Sequence, residues 1–176
     1  MLDAKLVARV DGLDAAAYHG EAFRHLPPAY DPLSGRGARI HGGRWNPPDS
    51  FSVLYLGLDR QTVVDEFERL ARRQRRDPSD FLPRAFYRYD LTLQNVLDLR
   101  NAEALAAIGL SVAELSSDQL EACQRVGRAA HHAGREGILA PSAAGEGTVL
   151  ALFLDGMQPG STIAPTRMET WESTPE

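Results

Sequence analysis

A single cysteine, Cys123, stands in 176 residues. It excludes an intrachain disulfide and any cysteine-rich metal site. No apolar stretch is long enough to span a bilayer, and the N-terminal MLDAKLVARVD lacks the apolar core of a signal peptide. The expected compartment is therefore the cytoplasm, with no membrane partner. Positive charge is also scarce. A net charge of -5 and a pI near 5.5 argue against a general binder of nucleic-acid backbones, although arginines cluster at Arg72–Arg76. Neither a Walker A nor a G-x-G-x-x-G pattern occurs; GRGARIHGG is glycine-rich but fits neither. Ser142 is not in G-x-S-x-G, and His131 and His132 have no partner at zinc-ligand spacing, so they read as surface or packing histidines. No metal is expected. No repeat, low-complexity block or linker divides the chain, and its length suits one domain over residues 1–176.

What is present is ordinary in bulk, with 43% apolar and 24% charged residues, and uneven in detail. Lys5–Val10 alternates and reads as a short strand; Ala15–Phe23 reads as one or two helical turns behind Asp14. From Pro27 to Pro48, prolines and glycines forbid long regular structure, yet Tyr30, Ile40 and Trp45 give this loop something to bury. Ser52–Leu58 is a strand, and Asp59 caps a helix to about Arg75 with Val63, Phe67, Leu70 and Ala71 at helical spacing. Arg84–Leu91 and Asn95–Leu99 read as strands, and Glu103–Ile108 as a short helix stopped by Gly109. A third helix is expected from Ser117 to Gly134, then strands at Gly137–Ala140 and Thr148–Leu154 around the turn PSAAGEG. The tail from Gly156 reads as an edge extension that frays. Helices among short strands indicate a mixed α/β or α+β fold.

The chemistry-bearing residues concentrate between Phe23 and Glu66. Arg24 and Arg44 have the fork that matches two phosphate oxygens, and the glycines of GGRW let backbone approach a ligand. The ordinary alternative for each arginine is a solvated or locally paired side chain. On the helix after Asp59, Asp65 points away from the apolar stripe while Glu66 and Glu68 flank it, so periodicity leaves those two glutamates open. Ser142, at a strand exit, could donate to a phosphate or ribose, or cap a turn.

The pieces FRH, YDPLSG, GGRWNPP, VLYLG with the Glu66 helix, VLDL, CQRVGRAA and ILAPSA, in that order over about Phe23 to Leu154, resemble the RES-domain toxin family. The resemblance implies an ADP-ribosyltransferase-like α+β fold in a single compact domain, with the motif-bearing core at about 23–154. It also implies NAD as substrate rather than cofactor, cleaved by phosphorolysis or hydrolysis, with phosphate a candidate co-substrate. The alternatives are transfer of ADP-ribose to a protein and a non-catalytic nucleotide-binding or antitoxin-docking module. The implied roles are Glu66 as catalytic carboxylate, Arg24 and Arg44 as ligand-binding arginines with Arg24 shared by catalysis, Tyr55 as pocket aromatic, and Ser142 as polar pocket contact. His25 counts as substrate-binding by position, with its role open; it is the candidate base if water is the acceptor. Pro48-Asp49 stands where the family commonly has a Pro-Gly turn. The implied partner is an Xre-type helix-turn-helix antitoxin covering the Gly35–Gly43 loop. No direct nucleic-acid contact by this chain is implied, and homo-oligomerisation stays open.

Overall fold

The computed structural model describes residues 2–176. Its helices are α1 (Ala4–Asp11), α2 (Arg36–His41), α3 (Arg60–Gln74), α4 (Ala102–Ile108), α5 (Val112–Ser116) and α6 (Glu121–His132). Its strands are β1 (Ala16–Leu26), β2 (Val53–Gly57), β3 (Arg84–Asp98), β4 (Gly137–Pro141), β5 (Thr148–Phe153) and β6 (Thr162–Trp171). The fold is α+β.

The strands make two antiparallel layers, β1–β3–β6 and β2–β5–β4. Two short seams join the layers. The end of β3 runs parallel to β4 through Val96–Asp98, and β1 meets β2 at one pair, Phe23 opposite Gly57. Because opposite residues share a face, inward-facing positions of both layers meet in a core of Ala22, Leu54, Leu56, Tyr89, Leu91, Leu139 and Leu150. Outside β2–β5–β4, helices α1, α4, α5 and α6 bury Val53, Ile138, Ala151 and Phe153. Outside β1–β3–β6, α3 packs Val63, Val64 and Phe67 on Phe86 and Trp171.

Several local expectations yield to long-range pairing. Lys5–Val10 lies in a helix, because Leu6 and Val10 also stand one turn apart and Asp3 caps the first turn. Ala15–Phe23 is mostly strand: β1 pairs with β3 from Ala16 to Leu26, and that ladder outweighs the helix preference of alanine. The two strands expected at 84–99 are one, β3. The long helix expected from Ser117 is broken, since Ser117 is extended (φ -67°, ψ 153°) between α5, which has a Ser111/Glu114 capping box, and α6. The tail does not fray. β6 adds to the edge of β3, Trp171 is 4% exposed, and Arg60 donates to Glu169 at 3.2 Å.

Strand β2 and helix α3 stand where the sequence places them. Asp59 accepts from the Thr62 amide at 2.7 Å, which starts α3 three residues after β2 ends. Asp49 has φ 53°, a left-handed conformation natural to glycine, as in the Pro-Gly turn that the RES-domain resemblance implies there.

Candidate active site

The single-pair seam between β1 and β2 organises the site. Past Phe23 and Gly57 the two strands part, with Arg24 on one side and Leu56 and Tyr55 on the other. Helix α3 rises just beyond Gly57 and crosses the loop that follows β4. The approach is close: a Cβ on Gly147 would meet Thr62 Oγ1, and one on Gly145 would meet Asp65 Oδ2 at 2.5 Å. At Gly147 the buried Thr62 leaves no room for a side chain.

Within that contact Ser142 Oγ donates to Glu66 Oε1 at 2.6 Å. The same oxygen accepts the Ala144 amide at 3.1 Å, which turns its hydrogen toward the carboxylate. Ser142 is 8% exposed, so little water competes for this bond. In this structure the Ser142 hydroxyl donates to Glu66 and leaves Oε2 of the carboxylate without a hydrogen bond among the described residues. Of the two glutamates that periodicity left open, Glu68 is exposed and pairs with Arg72 at 3.7 Å one turn on. Glu66 alone reaches Ser142. Arg69, absent from the sequence reading, supports the arrangement by donating to the Ala143 carbonyl and to Asp118 at 2.9 Å. It is one turn from Glu66, but no motif marked it.

Tyr55 and Arg44 are tied to each other through the GGRWN turn. The Tyr55 hydroxyl donates to Asn46 Oδ1 at 2.7 Å and accepts the Trp45 amide at 2.9 Å; burial pushes the phenol pKa up. Its ring lies against Gly43, where a Cβ would come within 2.6 Å of Cε2. From the other side, Gln124 donates to the Gly43 carbonyl at 2.9 Å, and Gly127 lies so close that a Cβ there would overlap the Trp45 carbonyl. The motif CQRVGRAA thus clamps the turn with an amide and a missing side chain. Arg44 then reaches the end of α5, donating to the carbonyls of Ser117 at 3.0 Å and Glu114 at 3.4 Å.

Arg24 points between the layers, toward the loop after β1. It donates to the carbonyls of Ser34 at 3.1 Å and Pro32 at 3.5 Å, beside Tyr89, whose hydroxyl also donates to Pro32. Among the described residues no hydrogen bond joins Arg24 to Glu66, Ser142 or Arg44. Nor does any ion pair include Arg24 or Arg44: carbonyls hold both charges without neutralising them. His25 accepts from Arg84 Nε at 3.0 Å through Nδ1. Burial, then the charges of Arg84 and Arg24, hold its pKa down to about 3. A ring so neutral, with one nitrogen occupied, is a poor base at pH 7. His131, as expected, packs: it stacks on Phe51 with ring centroids 4.0 Å apart and meets Asp155 at 3.1 Å. That pair borders a cavity of about 500 Å³ that shares no residue with the Glu66 cluster.

The structure provides a hydrogen-bonded carboxylate on α3, two guanidiniums without counter-charges, on β1 and in the GGRWN turn, and a buried aromatic on β2. Such a set can stabilise a cation developing on a sugar while holding phosphates nearby.

Comparison with known proteins agrees in sequence and in shape. A family model described as the RES domain matches residues 16–172. Proteins named NAD(+) phosphorylase MbcT, from Mycobacterium bovis and Mycobacterium tuberculosis, are each 35% identical over 161 residues, covering 90% of this chain and 87% of theirs. The crystal structure of the M. tuberculosis MbcT–MbcA toxin–antitoxin complex contains a chain that is 32% identical, with a TM-score of 0.81 over 96% of this chain and 94% of that one.

Proposed function

The chain belongs to the RES domain family, and from that premise we propose that it is a toxin enzyme that cleaves NAD at the nicotinamide–ribose bond, with inorganic phosphate as acceptor. The C1″–N bond breaks with its electron pair leaving on the nicotinamide nitrogen. Nicotinamide departs neutral, so no general acid is needed, and positive charge develops on the ribose. A phosphate oxygen then bonds to C1″, giving ADP-ribose 1″-phosphate. The observation that carries this reading is the Glu66–Ser142 bond at 2.6 Å, which holds a carboxylate ready for the ribose cation. Arg24 and Arg44, both without ion-pair partners, hold the pyrophosphate, and Tyr55 keeps the Arg44 turn in place. Phosphate is favoured over water because water needs a base, and His25, with its pKa near 3, does not supply one.

The relative solved with MbcA supports an antitoxin as partner. We read that partner as a small Xre-type helix-turn-helix protein that closes the pocket over Gly35–Gly43. Ile40, in α2, is 42% exposed and Tyr30, just upstream, is 63% exposed; both offer it apolar contact. The enzyme acts in the cytoplasm, with neither nucleic acid nor a resident cofactor.

The test is purified protein with NAD, with and without phosphate, followed by free nicotinamide and product mass. Acceleration by phosphate and formation of ADP-ribose 1″-phosphate are expected. Plain ADP-ribose at a rate indifferent to phosphate would make it a hydrolase. Label retained on protein would make it an ADP-ribosyltransferase, and no nicotinamide a non-catalytic module.

A further inference from the structure

Among the described residues no hydrogen bond joins the Glu66–Ser142 pair directly to the Arg44 turn. An indirect path does. Arg69 stands three residues after Glu66 on α3, hence on the same face, and its side chain is only 16% exposed. Its Nη1 donates to the carbonyl of Ala143, the residue after Ser142, and its Nη2 donates to Asp118 Oδ1 at 2.9 Å. Asp118 lies in the connector between α5 and α6. The residue before it, Ser117, supplies the carbonyl that accepts from Arg44 at 3.0 Å. Where the connector ends α6 begins, and its Gln124 donates to the Gly43 carbonyl at 2.9 Å. Two guanidiniums therefore grip adjacent residues of one connector, Arg44 from the GGRWN turn and Arg69 from α3.

The break between the two helices makes this possible. With Ser117 extended at the end of α5, its carbonyl has no helical amide to accept and is open to Arg44. The Gln119 amide donates to Ser117 Oγ at 3.0 Å, which fixes the turn that presents Asp118. Asp118 is 76% exposed, so its ion pair with Arg69 contributes little to stability and serves to fix a position. Position matters for a dinucleotide. Its ribose and its pyrophosphate are covalently joined, so the carboxylate that meets one and the guanidinium that holds the other must keep one separation. A misplacement of about 1 Å can cost about a hundredfold in rate.

We propose that Arg69 is a positioning residue that, through Asp118 and the α5–α6 connector, sets the spacing between the Glu66–Ser142 pair and Arg44. Its planar fork suits the task, because two donors on one rigid group hold two segments at a fixed distance from each other. The effect on turnover rests on the NAD-cleaving reading. The mechanical coupling of the Ser142 loop to the GGRWN turn does not.

The experiment measures kcat and KM for NAD, the thermal midpoint, and amide hydrogen exchange of the resting protein. The proteins are wild type, Arg69→Gln, Asp118→Ala, Asp118→Asn and Arg72→Gln. Asp118→Ala should keep the thermal midpoint near that of wild type, yet lower kcat and raise KM, each by about threefold or more. Asp118→Asn, which keeps an acceptor oxygen for Arg69, should recover most of both. Arg69→Gln also loses the Ala143 carbonyl and should be the more impaired, and adding Asp118→Ala to it should cost nothing further. Arg72→Gln, on the exposed side of α3, should match wild type. In Asp118→Ala the amides of Ala144 and Trp45, one on each side of the connector, should both exchange faster. Wild-type kcat and KM in Asp118→Ala, or faster exchange at only one of the two amides, overturns the proposal. So does a lowered midpoint in Arg69→Gln with wild-type kinetics well below it, the mark of a structural role alone. If Arg69→Gln fails to fold, Asp118→Ala, altered at an exposed side chain, decides the matter. A wild type that consumes no NAD would sink the proposed function, and the paired exchange would still decide the coupling.

Discussion

Ser142 and Glu66 should act as one unit, and a double-mutant cycle on NAD cleavage reads that directly. Glu66→Gln keeps the shape and an oxygen able to accept from Ser142, but removes the charge opposite the ribose cation. The loss of one such electrostatic contact is about 3–4 kcal/mol, a hundred- to a thousandfold in kcat. Ser142→Ala leaves the charge and removes the 2.6 Å bond that aims it. A hydrogen bond to a charged group contributes roughly 1.5–3 kcal/mol, so kcat should fall about ten- to a hundredfold with KM nearly unchanged. If the serine works only through the carboxylate, the double variant should be no slower than Glu66→Gln alone. Single-turnover rates and KM for the four proteins provide the cycle, with Glu68→Gln as a control that should match wild type. Additive losses, or a Ser142→Ala defect confined to KM, would mean that Ser142 meets the substrate itself and that the orienting role is wrong.

The remaining predictions concern the shell around this pair. Tyr55→Phe strips the partner from Asn46 Oδ1 and the Trp45 amide, in residues 0% and 2% exposed; it should lower unfolding free energy by about 1–3 kcal/mol, read from the denaturant midpoint. Gly127→Ala drives a methyl into the Trp45 carbonyl and should cost about 1–3 kcal/mol or more; because it displaces the Arg44 turn, KM for NAD should rise as well. For His25 the folded pKa, about 3, lies below the unfolded 6.5, so its contribution is complete above pH 6.5 and is lost as pH falls toward 3. Between pH 7 and 5 the thermal midpoint should therefore drop more in wild type than in His25→Phe, and equal drops would show that the ring is not held neutral.

Local physics made part of this protein legible. The run VLYLG with Asp59 behind it reads as a buried strand turning into a capped helix, and that put Tyr55 on β2 and Glu66 on α3. Gly109 stops α4 in the left-handed conformation that glycine adopts without penalty, as its position after Ile108 foretold. The candidate residues themselves were drawn from a family resemblance, and periodicity alone left Glu66 and Glu68 equivalent.

What the chain determined by itself were features that depend on neighbours within about four residues: caps, stops, turn glycines and amphipathic stripes. What only the tertiary structure decided were contacts between distant segments. Whether Ala16–Leu26 is helix or strand depends on a ladder to β3 some seventy positions away, and whether the tail frays depends on the open edge of that same strand. That Glu66 and not Glu68 meets Ser142 depends on a segment 76 residues further on, and the neutral state of His25 depends on burial against Phe67 and Trp171 and then on an arginine 59 residues away. Side-chain periodicity gives the direction in which a residue points from its own element, but the group it meets there is set by how the layers close. That closure runs through two short seams, Phe23 against Gly57 and Val96–Asp98 along β4, which no local pattern encodes.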